Sequence, residues 1–261
     1  MSDSVRLGIQ DGIGVLTLDR AGAFNAFDLP MAQSLADHLT SLASDRQVRA
    51  VVLSAAGKAF CAGGDLRWAS SFPRGPAAAF HELAGRFHLA ITQIRRMPKP
   101  VIAAVHGIAA GGGFSLALAC DFRVLGQSAA LRQAYTSSGL CIDGGGTFTL
   151  PRLIGLSRAL EVAAFDRPIS AEQALALGLA TKVVDDAQVL EESAALAREL
   201  ARKSVNAFAA CKQLLNDAFD TSLETQLERE RAALSACAEH ADGAEGLRAF
   251  SEKRKPHFTS R

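Results

Sequence analysis

Short apolar runs alternate with longer stretches of helical periodicity through the first two thirds of the chain. Residues 5–9 alternate apolar and polar positions, and a turn at Asp11-Gly12 leads into a second run at residues 13–18, which predicts a β-hairpin. Residues 49–53, which are apolar after Arg49, and the wholly apolar residues 101–105 form short runs typical of buried strands. Between them, residues 77–96 keep a helical spacing of apolar positions up to the prolines that follow. This alternation of strands and helices predicts an α/β architecture.

Local signals predict three further elements. Residues 29–43 space their leucines for a helix, and residues 122–125, rich in large apolar side chains, predict a strand. Ser170 and Gln173 have the spacing of a capping box, in which the two side chains bond reciprocally to the backbone at a helix start. We therefore expect a helix to begin at Ser170 and to run through Leu177.

The pattern changes near residue 200. Residues 201–261 contain 19 charged residues among 61, whereas the first 200 residues contain 36. No strand-like run occurs in this last part, and Leu223, Leu227 and Leu234 lie among glutamates and arginines. This composition predicts amphipathic helices, a natural place for subunit contacts. We accordingly divide the chain into a core, residues 1–200, and an all-helical C-terminal region, residues 201–261.

Charge and cysteine content argue against several classes of protein. The 28 basic and 27 acidic residues leave a net charge of +1 without a basic cluster, so binding of nucleic acid through its phosphates is not expected. Five cysteines without a C-x-x-C pair suit neither a disulfide framework nor a zinc site. The N-terminus has no signal-peptide pattern, and the most apolar stretch, residues 101–119, contains His106 and four glycines. We expect a cytoplasmic protein that does not enter a membrane.

Sequence fingerprints of bound cofactors are missing. Gly57-Lys58 lacks the upstream glycine of a phosphate-binding loop, and Gly12-Ile-Gly14 is not completed by the third glycine of a dinucleotide fold. The six histidines are scattered, without the spacing of metal ligands. We therefore expect either an enzyme that uses no metal and no nucleotide cofactor, or a binding protein.

Three glycine-rich segments precede predicted helices. Residues 57–66 follow the strand at 49–53, residues 106–115 follow the strand at 101–105, and residues 139–147 precede a further helical pattern. A strand that leads through glycines into a helix leaves backbone N–H groups unpaired at a helix N-terminus, where the dipole favours negative charge. Two such turns aimed at one point would supply a pair of donors for a developing oxyanion.

Four segments carry a resemblance to a known family: AFCAGGDL, HGIAAGGGFSLALACDF, GLCIDGGGTFTLPRLIG and FSEKRKPHF. In this order, and over essentially the whole chain, the sequence resembles the crotonase (enoyl-CoA hydratase/isomerase) superfamily. The resemblance implies a crotonase-like spiral of ββα units with a C-terminal all-helical trimerisation region. It also implies acyl-CoA thioester substrates, no cofactor apart from the CoA of the substrate, and assembly as a homotrimer or a hexamer of two trimers.

The same resemblance implies roles for individual residues. The N–H groups of Gly64 and Gly112 would hold the thioester oxygen as an enolate, and glycine at both positions would leave clearance for it. Ala62 would contact the adenine of CoA. Phe250 and Lys253 would approach the CoA nucleotide from a neighbouring subunit.

The acidic positions of the family separate its reactions. Members that add water carry two glutamates, and this chain has Ser115 and Tyr135 at those positions, which we expect to contact the substrate. Asp143 matches the lone acid of enoyl-CoA isomerases, including epoxyphenylacetyl-CoA isomerase-like members. One carboxylate suffices there, because it removes a proton from one carbon and returns it to another. Alternatively, Asp143 only caps the following turn or helix. We favour the isomerase.

Other functions stay open. In 4-chlorobenzoyl-CoA dehalogenase-like members an aspartate at the position of Asp143 is a nucleophile, and His88 matches their histidine. Tyr135 and Gly64, however, stand where those enzymes have a tryptophan and a bulky aromatic residue. We therefore interpret His88 as a plain helix residue and keep dehalogenation or thioester hydrolysis, hydration, and binding of CoA thioesters or RNA without catalysis as alternatives. Trp68 follows the first glycine segment and is predicted to form a wall of the acyl pocket.

Overall fold

The structure is a computed structural model and describes residues 4–259. The strands of the larger sheet are β1 (Val5–Gln10), β2 (Ile13–Leu18), β3 (Ala50–Ala55), β4 (Val101–Val105), β6 (Phe122–Gly126) and β9 (Lys182–Val184). They lie in the order β1-β2-β3-β4-β6-β9, with the first pair antiparallel and the other pairs parallel. A smaller sheet contains β5 (Ile108–Ala110), β7 (Ala130–Arg132) and β8 (Ile169–Ser170), in that order.

Residues 4–259 also form eleven α-helices, which lie between the strands and after the last strand. They are α1 (Leu29–Ser44), α2 (Leu66–Ser70), α3 (Gly75–Arg96), α4 (Gly112–Ala119), α5 (Gly146–Ile154), α6 (Leu156–Phe165), α7 (Ala171–Ala176), α8 (Val189–Ala201), α9 (Val205–Asp217), α10 (Leu223–Glu239) and α11 (Ala241–Ser251). The predicted α/β class is therefore confirmed.

The central strands β3 and β4 are buried on both faces. Because successive side chains of a strand point to opposite faces, β3 sends Val51 and Leu53 into the main core and Val52 into a smaller one. Helices α1 and α3 pack together over the main core, while α8 covers the smaller core. Burial on both faces explains why these strands are continuous apolar runs rather than alternating ones.

Most local predictions are confirmed, with boundaries shifted by one or two residues. The hairpin of β1 and β2 pairs Val5 with Leu18. The capping box begins α7, since the Ser170 hydroxyl accepts the Gln173 N–H at 3.2 Å and the Gln173 side chain accepts the Ser170 N–H at 3.0 Å. The sequence patterns do not predict the smaller sheet. Its three strands are only two or three residues long, and two of them lie among glycine-rich or polar segments.

The described residues beyond α8 are helical or irregular, as the composition predicts, and form α9, α10 and α11. Helix α10 contacts α9 and α11 and has no buried residue. No helix within residues 4–259 is both long enough and apolar enough to cross a lipid bilayer. The division of the chain at residue 200 stays a prediction.

Candidate active site

The turns that follow β3 and β4 lie side by side. The Cys61 N–H donates to the Ile108 carbonyl at 3.2 Å, and the Ala110 N–H donates to the Cys61 carbonyl at 2.8 Å. Gly63 has a φ of +98°, and a Cβ atom there would lie 3.0 Å from the backbone nitrogen of Gly112. Only glycine permits that conformation and that approach without strain. The first turn is thus in direct backbone contact with the second.

Each turn presents an N–H group that is free of the fold's own hydrogen bonds. Gly112 is the first residue of α4, where a backbone N–H has no partner within its helix. Gly64 pairs with Phe27 in an isolated bridge, but that bridge uses the Gly63 carbonyl and the Asp65 N–H. Among the described residues neither the Gly64 nor the Gly112 amide donates to a protein acceptor. Two neighbouring donors of this kind can stabilise an anionic oxygen.

Sterics require glycine at the residues next to the two donors, and not at the donor residues themselves. A Cβ atom at Gly64 or Gly112 would meet no protein atom closer than 3.6 Å, which is ordinary contact. A Cβ atom at Gly113 would lie 2.2 Å from the Cys61 carbonyl oxygen, and one at Gly63 would lie 3.0 Å from the Ala110 carbonyl oxygen. Protein atoms therefore give no clearance reason for glycine at the two donor positions. Gly63 and Gly113 are required because they bring the two turns together.

Both donor residues border one pocket. The pocket also contains three other predicted site residues, Ala62, Tyr135 and Asp143. Its apolar wall is formed by Phe27, Leu66, Phe80, Leu83, Ala84, Phe87 and Leu140. The rings of Phe27 and Phe87 pack with centroids 4.9 Å apart. The site therefore combines two amide donors, one carboxylate and an apolar surface.

Asp143 is the only acidic residue among those that line this pocket in the described part of the chain. Its backbone carbonyl accepts the Ser115 hydroxyl at 2.5 Å and the Gly146 N–H at 3.2 Å, which fixes the loop before α5. The N-cap of α5 is Gly145, without any side-chain cap. The alternative that the Asp143 side chain caps the following helix is therefore wrong, and its carboxylate is available for chemistry.

His88 contacts Asp143 directly, which corrects our interpretation of it as a plain helix residue. Its Nε2 atom lies 2.6 Å from Oδ1 of Asp143, across 55 residues of sequence. His88 lies on α3 next to Phe87 and one helical turn after Ala84, two residues that line the pocket. The only sequence signal for a functional role was the match of His88 to the histidine of 4-chlorobenzoyl-CoA dehalogenase-like members.

Ser115 and Tyr135 occupy the two positions where hydrating members carry glutamates, and they lie together beside Asp143. Ser115 is fully buried behind the pocket lining. Tyr135 lines the pocket, and burial, reinforced by the nearby negative charge of Asp143, raises the pKa of its phenol. The phenol therefore stays protonated at neutral pH and cannot replace a carboxylate base.

Three predicted substrate contacts lie away from the pocket lining of this chain. Trp68, in α2, is half-buried and packs against Phe72 with ring centroids 5.2 Å apart. Phe250, in α11, has 85% of its surface exposed, and Lys253 follows it in an exposed turn. The expected approach of Phe250 and Lys253 to a neighbouring subunit's CoA stays a prediction, as does the wall formed by Trp68.

Cys61 has no features of a nucleophile although it lies in the first turn. It is completely buried, and burial raises the pKa of its thiol to about 12. Its thiol instead donates to the Asn25 carbonyl at 3.1 Å. Within residues 4–259 no group of three or more histidine, cysteine, aspartate or glutamate side chains could hold a metal ion.

Paired amide donors beside one carboxylate, on an α/β core followed by helices, define the class as a crotonase-fold protein. Residues 8–261 match the family described as enoyl-CoA hydratase/isomerase, and the chain belongs to that family. A crystal structure of an enoyl-CoA hydratase from Bacillus anthracis superposes with a TM-score of 0.92 at 32% identity, covering 99% of this chain and 100% of that one.

Curated relatives carry both isomerase and hydratase names. The 1,2-epoxyphenylacetyl-CoA isomerase of Escherichia coli (strain K12) is 37% identical over 100% of both chains. The crotonyl-CoA hydratase of Syntrophomonas wolfei is 32% identical over 99% of both chains. Family membership therefore leaves the reaction to be argued from the site itself.

Proposed function

We propose that this protein is an enoyl-CoA isomerase, which moves a carbon–carbon double bond along an acyl-CoA thioester. The thioester oxygen lies between the N–H groups of Gly64 and Gly112. Asp143 removes a proton from one carbon of the acyl group and returns it to another. CoA is part of the substrate, and no separate cofactor takes part.

The electron movement explains why these groups suffice. Asp143 takes a proton from the carbon between the thioester carbonyl and the double bond as that C–H bond breaks, and the electron pair is delocalised onto the thioester oxygen to give a dienolate. The Gly64 and Gly112 amides stabilise that negative charge as it develops. The dienolate then collapses, and the carbon at the far end takes the same proton back from Asp143. No water is consumed, and the net charge of the site is unchanged over the cycle.

One observation carries the preference for isomerisation over hydration: the lining of the pocket offers a single carboxylate. Addition of water needs a base to activate the water and an acid to protonate the other carbon. Ser115 and Tyr135 stand where hydrating relatives are expected to hold those acids, and neither can act as a carboxylate. Asp143 alone can shuttle one proton.

The test is Asp143→Asn, assayed with 3-enoyl-, 2-enoyl- and aryl-CoA substrates by ultraviolet absorbance and mass detection. We expect isomerisation to fall ~100- to 10,000-fold, because the variant keeps the shape of the side chain but loses the base. CoA binding, measured by titration, should persist. An active Asp143→Asn enzyme would remove this residue from the mechanism, and rapid formation of 3-hydroxyacyl-CoA from crotonyl-CoA would establish a hydratase instead.

The contact between His88 and Asp143 favours one second candidate, hydrolysis of the thioester or dehalogenation of an aryl-CoA. In that reaction Asp143 attacks the substrate as a nucleophile, and water later releases the acyl or aryl group. Tyr135 and Gly64 depart from the pattern of enzymes that work in this way. Release of free CoA thiol or halide from aryl-CoA, with a covalent adduct on Asp143 after rapid quench, would favour it over isomerisation.

We also propose that the enzyme assembles as at least a trimer, through its C-terminal helices. Exposed apolar side chains support this, since Leu223, Leu227 and Leu234 of α10 are each more than half exposed in one chain. In such an assembly Phe250 and Lys253 would contribute to a neighbour's CoA site. Light scattering at micromolar concentration should give the mass of three or more chains, and a stable monomer would contradict this proposal.

A further inference from the structure

We propose that His88 is a positioning residue, which holds the Asp143 carboxylate in the orientation that proton transfer requires. The inference rests on the proposed role of Asp143 as the base. His88 does not line the pocket, so in this proposal it acts only through Asp143.

The contact gives the two carboxylate oxygens of Asp143 different roles. His88 Nε2 lies 2.6 Å from Oδ1 of Asp143. A carboxylate that acts as a base is ionised and only accepts hydrogen bonds, so in this proposal the Nε2–H of His88 is the donor. Among the described residues no other hydrogen bond reaches this carboxylate. Oδ2 is therefore the oxygen left to take and return the substrate proton.

The backbones on both sides of the contact are fixed. The Asp143 carbonyl is held by Ser115, and a Cβ atom at the next residue, Gly144, would lie 2.4 Å from Phe87 on α3. This loop and α3 are thus tightly packed beside the pair. The rotation of the carboxylate itself is the freedom that remains, and the His88 imidazole is the group that restrains it.

Exposure argues against a structural role for this pair. The side chains of His88 and Asp143 are 51% and 38% exposed, and ion pairs at such positions contribute little to stability. A misplacement of about 1 Å in a reacting group can nevertheless lower a rate by ~100-fold. The contact therefore matters for catalysis more than for folding.

The experiment compares His88→Leu, which cannot donate, with His88→Gln, which keeps an N–H donor. His81→Leu is the matched control, because His81 is an exposed histidine two turns earlier on α3 and does not line the pocket. Each protein is assayed for kcat and KM with a 3-enoyl-CoA. Each is also assayed for exchange of the α-protons of phenylacetyl-CoA in D2O, which requires the base but no double bond to move.

We expect His88→Leu to lower kcat and the exchange rate together by ~10- to 100-fold, with KM and melting temperature unchanged. His88→Gln should recover most of the loss, and His81→Leu should match the wild type. A fully active His88→Leu enzyme overturns the proposal. So does His88→Gln as slow as His88→Leu, because His88 would then carry the proton itself.

The two readouts separate this inference from the proposed function. If the wild type exchanges α-protons but moves no double bond, isomerisation is wrong and the exchange rates of the variants still decide the role of His88. If the wild type does neither, Asp143 is not a base toward thioesters, and the positioning role is wrong as well.

Discussion

The sheet core and the C-terminal helices differ in how far they bury their apolar side chains. All 5 residues of β4 are buried, whereas none of the 17 residues of α10 is buried. Leu39 of α1 is completely covered by the core, while Leu234 of α10 keeps 74% of its surface exposed. The core buries most of its apolar side chains within one chain. The C-terminal helices leave several large apolar side chains exposed.

This difference separates the pocket from the exposed apolar surface along the sequence. All residues that line the pocket lie between Phe27 and Asp143, on elements of the core. The exposed leucines of α10 and Phe250 of α11 lie outside that range, and the rest of the described chain leaves them uncovered. Variants in the two regions should therefore fail in different ways.

The largest expected difference is between truncation of a core leucine and truncation of an exposed one. Leu39→Ala should lower the free energy of unfolding by about 2–5 kcal/mol at every protein concentration, because it leaves a cavity inside one chain. The effect of Leu234→Ala should depend on protein concentration, since only another copy can cover that side chain in the proposed assembly. Urea unfolding at several protein concentrations measures both. If Leu234→Ala lowered the free energy of unfolding by the same amount at every protein concentration, the two regions would not differ in this way.

A second variant tests whether the core alone provides the oxyanion site. Gly64→Pro removes one amide donor that no protein group uses, so turnover should fall ~100- to 1000-fold while assembly is unchanged. Gly64→Ala is the control, because it keeps the N–H and its Cβ would lie 3.7 Å from its nearest neighbours. Circular dichroism and light scattering verify folding and assembly. Near-normal turnover in folded Gly64→Pro would refute the donor role.

The smallest expected effect compares ion pairs in the two regions. Oδ1 of Asp65 accepts the Arg67 and Trp68 N–H groups at the start of α2, and Oδ2 lies 2.8 Å from Arg20. Burial raises the pKa of Asp65, but these hydrogen bonds and the Arg20 charge outweigh burial and hold it below its ordinary value.

Asp65→Asn keeps the cap and removes the charge, so it should cost about 1 kcal/mol at neutral pH. Because the folded pKa is lowered, the advantage of the wild type is present above the unfolded pKa of ~4 and is lost as pH falls through the folded value. Glu228→Gln in α10 breaks an exposed pair with Arg231 and should change unfolding by less than about 1 kcal/mol. Equal effects of the two variants in urea unfolding across pH would contradict the comparison.

The sequence by itself determined the elements that depend on near neighbours. The hairpin of β1 and β2, the helix α3 and the capping box at Ser170 follow from periodicity and from short-range side-chain chemistry. The family motifs also identified Asp143, Gly64 and Gly112, which do line one pocket. The absence of the two glutamates was predictable from the sequence for the same reason, since it depends only on which residue stands at each motif position.

Only the tertiary structure decided which of these residues meet. The Cys61–Ala109 bridge, the crowding at Gly63 and the contact of His88 with Asp143 join segments that are about 50 residues apart. A local pattern records the preference of a residue for helix, strand or cap, but not the packing that brings two distant segments within hydrogen-bond reach. The Asp143 side chain shows the difference: its neighbours in sequence allowed a helix cap, and packing of α3 beside its loop gave it His88 instead.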